Sequence, residues 1–549
     1  MKIFLNFIFL FVFTVLLNAQ SIYEPVYKDD IYNFIERLSN RGLTEFLNDI
    51  RPVSRLTITE KLLAIFHNKQ NLSDADKERL IFYLQEYSLE VRYLKNDSST
   101  TSEFFRDRAG ERFNFYKFYS PIFTLIADPV LGVGYDFTNK TYHQFTGVQL
   151  YGRISDNWGY YFNYRDNLER GNNIDRAKSF SPVTGVVVSK SNANKIEYSE
   201  TRGGISYGWK WGRLTAAKDF IHIGSSSQSS IILSEKAPSF PFIRLEVSPV
   251  DWFRYDFIHG WLKSGLIDSS TIMYTGVTST YENRSLSYSS LNKYYVGHSV
   301  SVKPFNNWWL SLGESLIYGR NLEFIYFLPI FLRLADHYNS MHGGSTGDNA
   351  QLYLNTSYIW QAIQSKIYFT FYIDEMSPES LFSAGNNAQV YAITIGGNFT
   401  NPLWKDNYFT LEYNAVRPYS YMNGDPLNTY MTAGYQLGTW IGSNAVQIYA
   451  SMEQYLPYMI NVGVYYNYVM KGEKENINSY YDRVTSTYPL LAGANSYYSD
   501  LGFNLSYQPL NDLFFNLNFD YVNIASGRFV LEYSVKKGTT FGVGVRYGF

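Results

Sequence analysis

The chain ends in TFGVGVRYGF, residues 540–549. Phe541, Val543, Val545, Tyr547 and Phe549 fall on one side of an extended chain, and Thr540, Gly542, Gly544, Arg546 and Gly548 on the other, because successive side chains of a strand point to opposite faces. The same period of two runs back through the preceding segments. Phe503, Leu505 and Tyr507 alternate with Asn504, Ser506 and Gln508. Phe515, Leu517, Phe519 and Tyr521 alternate with Asn516, Asn518 and Asp520. Phe529, Leu531, Tyr533 and Val535 alternate with Val530, Glu532, Ser534 and Lys536. A soluble sandwich would turn the apolar face inward, and a membrane barrel would turn it to lipid. Periodicity alone does not separate the two.

Extent and punctuation do. The pattern starts near Arg112 and holds to the end, room for roughly 16–20 strands, too many for one sandwich. Short turns such as Pro509–Asp512 and Lys536–Gly538 contrast with long polar connections at 171–192, 267–291, 339–349 and 472–495, the asymmetry of outer-membrane barrels. A terminal aromatic on an amphipathic last strand resembles the signal read by the bacterial outer-membrane assembly machinery, with Phe549 as its final residue. The expected fold is an all-β transmembrane barrel of about 18 antiparallel strands with a small helical domain ahead of it.

Composition agrees. Tyr, Phe and Trp number 51, 40 and 10, yet mean hydropathy is only −0.23, as alternation between lipid and lumen requires. A net charge of −2 argues against nucleic acid as a partner. The absence of cysteine removes thiolate catalysis, Cys-ligated metals and a lipobox. Met1 and Lys2 precede an apolar run from Ile3 to Leu17, followed by Asn18, Ala19, Gln20 and Ser21, which reads as a signal peptide over residues 1–20. Residues 21–100 read as a periplasmic helical domain, and 101–549 as the barrel. Ile31, Phe34, Ile35 and Leu38 share a helical face behind Asp29 and Asp30, with Arg41 and Gly42 as a stop. Thr57 to Glu60 reads as a capping box. Ser73 with Asp76 opens a third helix carrying Leu80, Leu84, Tyr87 and Val91 on one face.

No P-loop, GxSxG or HExxH pattern occurs, and no enzyme activity or cofactor is expected. His337 and His342 lie with Asp336 and Asp348 in one stretch, which reads as a polar loop rather than a metal site. Asp374 and Glu375 are adjacent on a strand and so face opposite ways, a poor pair for glycoside hydrolysis. The tryptophans read chiefly as interfacial girdles, with some free to stack on sugar rings.

Several stretches together resemble the Wzi-type capsule-assembly outer-membrane family. They are Lys218 to Gly224, Ser230 to Ser234 with Ala237 and Pro238, Phe242 to Leu245, and Phe257 to Leu262. Gly313–Glu314, Tyr318–Gly319, Leu328–Pro329 with Phe331, Gly347–Asn349 and Asp374–Glu375 follow in order. Phe220 stands where that pattern has tryptophan. The resemblance implies an 18-stranded barrel with a periplasmic helical bundle, acting as a lectin that holds capsular polysaccharide, without cofactor. On that block and on loop polarity, Asp348, Asn349, Asp374 and Glu375 are the candidate acceptors for sugar hydroxyls, and Trp360 the candidate stacking ring. Ile31 to Phe66 also resembles one S-layer-homology repeat. The alternative function is a porin or transporter, since Arg153, Arg165, Asp520, Glu532, Lys536 and Arg546 would charge the inward face. A barrel esterase, protease or lipase would need a nucleophile–His–acid set, and none is recognisable.

Overall fold

The computed structural model describes residues 22–105, 112–171, 174, 190–192, 194–274, 286–329, 331, 332, 335, 348–375, 390–473, 488–525 and 537–548. Within these, 18 antiparallel strands close into a barrel. In order they are β1 Phe123–Asp136, β2 Thr141–Ile154, β3 Trp158–Gly171, β4 Lys195–Trp209, β5 Gly212–Asp219, β6 Phe240–Val250, β7 Phe253–Ile267, β8 Ser290–Phe305 and β9 Trp308–Gly319. The rest are β10 Asn349–Trp360, β11 Ser365–Glu375, β12 Val390–Thr400, β13 Asn407–Val416, β14 Ala445–Leu456, β15 Ile460–Gly472, β16 Asn495–Leu510, β17 Leu513–Ala525 and β18 Gly538–Tyr547. Each pairs with its neighbour in sequence. The seam joins Gly542–Tyr547 of β18 to Leu131–Asp136 of β1, while the other half of β1 pairs with a short hairpin strand, Tyr116–Tyr119.

Alternation decides which side of the wall is wet. In β10, Asn349, Gln351, Tyr353, Asn355, Ser357 and Ile359 are buried toward the lumen, and Tyr358 and Trp360 are exposed outside. In β18 the exposed positions include Phe541, Val543 and Val545. An outward belt of large apolar side chains around a closed sheet is the surface of a membrane-spanning barrel, because closure leaves no unpaired strand edge in the hydrocarbon. No helix among the described residues is long and apolar enough to cross a membrane. Of the ten tryptophans, Trp158, Trp209, Trp211, Trp252, Trp308, Trp309, Trp360 and Trp404 all sit at or beside turns on one rim, as an interfacial girdle would. At that rim the turns are short: two residues join β4 to β5, β6 to β7, β8 to β9 and β16 to β17. The connections at the opposite rim are long, apart from that between β1 and β2. Residues 526–536, with the alternation expected at 529–536 and Lys536 of the expected 536–538 turn, lie outside the described residues, and β17 and β18 pair directly across them. Residues 1–21 and Phe549 also lie outside them.

Among the described residues four helices precede the wall: α1 Asp29–Asn40, α2 Arg55–His67, α3 Asp74–Glu86 and α4 Ser88–Leu94. Ile31, Phe34, Ile35 and Leu38 are fully buried on the expected face of α1. Ser73 caps α3 by accepting a hydrogen bond from the Asp76 amide at 3.0 Å, as its sequence indicates. Two details differ from expectation. The cap of α2 is Ser54, which accepts from the Thr57 amide at 3.3 Å, so Thr57 lies inside the first turn. The expected third helix is broken at Tyr87 into α3 and α4; fully buried Tyr87 stacks under the Arg55 guanidinium at 4.3 Å, a contact that outweighs helix continuity there.

Candidate functional site

The helices seal the short-turn mouth of the barrel. Glu36, on the barrel-facing side of α1, accepts hydrogen bonds from Asn48 and Lys366 at 2.9 Å each, from Asn398 at 2.6 Å and from Tyr408 at 2.7 Å. Burial would raise its pKa, but the Lys366 ammonium and these donors hold it down at about 2. Arg79 donates to the Leu456 and Ile460 carbonyls at 3.0 and 2.7 Å. Arg244 of β6 reaches the Pro52 carbonyl at 3.0 Å.

From the opposite rim two connections fold inward. Residues 220–239, between β5 and β6, descend until His222 and Ile223 pair with Arg51 and Ile50 of the helical domain. Residues 417–444, between β13 and β14, close over them: the Tyr421 and Tyr430 hydroxyls donate to the Ile231 and Ile232 carbonyls at 2.8 and 2.9 Å. The Ser234 amide donates to the Leu437 carbonyl at 2.7 Å. A single buried cluster joins Ile50, Ile223, Ile231, Ile232, Leu233, Tyr421, Tyr430, Leu437 and Trp440 to the lumen-facing Tyr295, Tyr353, Tyr372 and Tyr498. A packed column thus runs the length of the lumen against β6 to β16. Sequence reading missed both segments as fillers. Their signal is apolar and aromatic residues, such as Ile231–Leu233 and Tyr430, without a period of two; a loop so composed has to be buried.

The predicted residues divide between the two rims. Asn349 and Asp374 come together where β10 and β11 meet the long connections, whereas Asp348 turns to Tyr326, which is buried in a separate cluster with Phe257 and Tyr318. Gln351 Nε2 donates to Asn349 Oδ1 at 2.7 Å and lies 3.4 Å from Asp374 Oδ1. Asn349 Nδ2 donates to the Asn428 carbonyl at 2.9 Å, Asp374 accepts from the Tyr421 amide at 2.6 Å, and Tyr326 donates to Asp348. Asn349 and Asp374 hold the inward 417–444 segment in place. Trp360 stands at the far end of the same strand, 47% exposed on the outer face, so the structure does not bring it to the other four. Glu375 ends β11 with its backbone opposite Val390, and its side chain lies outside the described residues, as do Asp336, His337 and His342. Among the described residues no group of three His, Asp or Glu could hold a metal.

The other side of the lumen is wet. Asn504 and Asn518 face inward yet are exposed, and their side chains and that of Asn516 form no hydrogen bond or ion pair among the described residues. The Tyr465 hydroxyl donates to Asp520 at 2.7 Å and sits 3.2 Å from Asp500. A cavity of about 290 Å³ lies along the seam, lined by Asp136, His143, Asn516, Asn518 and Arg546. Carboxylates accept from sugar hydroxyls, and amides both donate and accept, so this wall matches vicinal diols better than it matches a single ion.

The geometry has a known counterpart. The fold is that of Wzi. That protein is described as an outer-membrane protein involved in group 1 capsule assembly in Escherichia coli and a carbohydrate-binding β-barrel; it superposes with a TM-score of 0.58 at 12% identity, over 97% of this chain and 100% of Wzi. Acinetobacter baumannii OccAB2 (TM-score 0.43, 10% identity, 77% of this chain and 97% of that one) and Pseudomonas aeruginosa OccD3 (0.40, 11%, 78% and 90%) are more distant barrels. No family model matches the sequence, and no curated protein matches it. The Wzi fold includes the block of strands on which the resemblance in sequence rests.

Proposed function

We propose that this protein is an outer-membrane barrel that binds surface polysaccharide and holds capsular material at the cell, without catalysing a reaction. The observation that carries the reading is the lumen itself: a column of side chains fills one side, and the side left open is lined by amides and carboxylates. That arrangement suits retention of a polyhydroxylated chain. The fold shared with Wzi supports it. In this reading Asn349 and Asp374 act by anchoring the inward segment that forms the floor beneath the polysaccharide, Asp348 fastens Tyr326 of the connection before β10, Glu375 borders the floor, and Trp360 belongs to the interfacial girdle. The short-turn rim and the helices face the periplasm, as in barrels inserted from that side. Residues 1–20 direct export, and the last strand with Phe549 engages the assembly machinery.

The test pairs two measurements. Refolded protein is titrated with purified surface polysaccharide, and cell-bound polysaccharide is compared with and without the gene. Binding that weakens in Asn516→Ala/Asn518→Ala, with polysaccharide shed by the deletion strain, is the expected result; no binding and unchanged retention would refute it. A second reading, a solute channel, is favoured by the exposure of Asn504 and Asn518 inside the barrel, and a steady conductance selective for small solutes would establish it instead.

A further inference from the structure

A second cleft, of about 560 Å³, lies at the short-turn rim between the 45–61 segment of the helical domain and the turns of β4 to β9. Its size is that of a ligand site rather than a packing defect. Three indoles line it: Trp209, Trp211 and Trp309. The rings of Trp209 and Trp211 meet edge to face, 5.3 Å apart at 85°, and so form a right-angled aromatic corner. The Trp209 indole N–H is buried without an acceptor among the described residues.

The charges are sorted. Inside the cleft they neutralise one another: Arg213 and Arg254 lie 3.3 and 3.5 Å from Glu246, and Lys303 lies 2.7 Å from Glu45. At the edge, Glu60, Lys61, Lys210 and Asp251 form no hydrogen bond or ion pair among the described residues, and they comprise two groups of each sign. A polyanion would meet no uncompensated cationic floor here. A pyranose fits an aromatic corner, and a substituent carrying both carboxylate and ammonium fits the mixed edge.

We infer that this cleft binds a wall-type glycan, a strand of N-acetylated amino sugars bearing short zwitterionic peptides. The sugar rings lie on Trp209 and Trp211, and the peptide termini engage the unpaired edge charges. The inference rests on the proposed orientation of the barrel, with this rim in the periplasm, and not on polysaccharide binding at the other end.

The experiment is co-sedimentation of the refolded full-length protein with purified wall sacculi. The wild type is expected to pellet with them, and Trp209→Ala/Trp211→Ala to bind at least about tenfold more weakly while retaining the heat-modifiable gel mobility of a folded barrel. Lys210→Gln/Asp251→Asn, two exposed changes, is expected to weaken binding to intact sacculi and to leave binding to peptide-stripped glycan unchanged. A wild type that stays in the supernatant, or folded variants that bind as well as it does, would overturn the inference. So would binding of the wild type to a periplasmic protein fraction but not to sacculi. Because the chain has no cysteine, Lys210→Cys reports orientation separately: labelling by an impermeant reagent on intact cells would refute the orientation, whatever the sacculi assay gives. Polysaccharide retention at the cell surface is scored independently of both.

Discussion

Two sectors of one lumen are built from opposite choices at the same inward positions. From β6 to β15 the inward face carries Phe242, Ile258, Tyr295, Tyr353, Tyr372 and Val469, all buried beneath the two infolded connections. From β16 through β18 to β2 it carries the exposed Asn504 and Asn518 and the half-buried Gly542, Gly544 and His143, the last four lining the open cavity. The outer face is the same apolar belt in both. The barrel's stability in the membrane is therefore shared by the whole wall, while closure of the lumen belongs to one sector and, in the proposed function, recognition belongs to the other. Changes in the first should open or loosen the barrel; changes in the second should alter binding alone.

The largest effect is expected in the packed sector. Glu36→Ala leaves the Lys366 ammonium buried without a carboxylate, beside Asn48 Oδ1 at 3.1 Å, which should cost about 3–5 kcal/mol. Loss of the helical plug, seen as protease sensitivity of residues 22–95 and a rise in conductance, is the check. Trp440→Ala, at a fully buried side chain, should cost a similar amount, about 3–5 kcal/mol, through the cavity it leaves. Unchanged unfolding curves for both would break the distinction between the sectors.

Acid should reproduce part of the first effect. The folded-state pKa of Glu36 is depressed from 4.5 to about 2. Its contribution, on the order of 3 kcal/mol, is therefore fully present above pH 4.5 and lost as pH falls toward 2. The Glu36→Gln variant should show a shallower loss of plug protection across that window. Tyr430→Phe removes the bond to the Ile232 carbonyl and should cost about 1 kcal/mol, measurable as faster hydrogen exchange in 230–234. The smallest stability change belongs to the wet sector: Asn518→Ala should alter unfolding by less than about 0.5 kcal/mol while weakening polysaccharide binding. A destabilisation as large as that of Trp440→Ala would erase the contrast.

The wall was legible because a period of two needs no tertiary information: Phe515, Leu517 and Phe519 against Asn516, Asn518 and Asp520 declare their faces locally. Ser73 was legible as a cap for the same reason. Ser54 was not, because Thr57 offered a competing cap within the same turn. The infolded segments escaped because Tyr421, Tyr430 and Trp440 acquire their burial from partners some 190 or more residues away in sequence, at Ile231, Ile232 and Ser229. Of the candidate site, Asp348, Asn349 and Asp374 were visible as polar residues at strand ends, although the task of Asn349 and Asp374 in holding 417–444 was not. Trp360 could have been separated from Asn349 by counting: the two are an odd number of residues apart on one strand, so they face opposite sides, and the strand carries them roughly 36 Å apart along its length.

The packed column closes the lumen, and single-channel recording of the refolded protein in planar bilayers is the direct test. Small or undetectable conductance is expected in the wild type, with discrete openings once Glu36→Ala releases the helical plug. A steady, large conductance in the wild type, unchanged by that substitution, would contradict it.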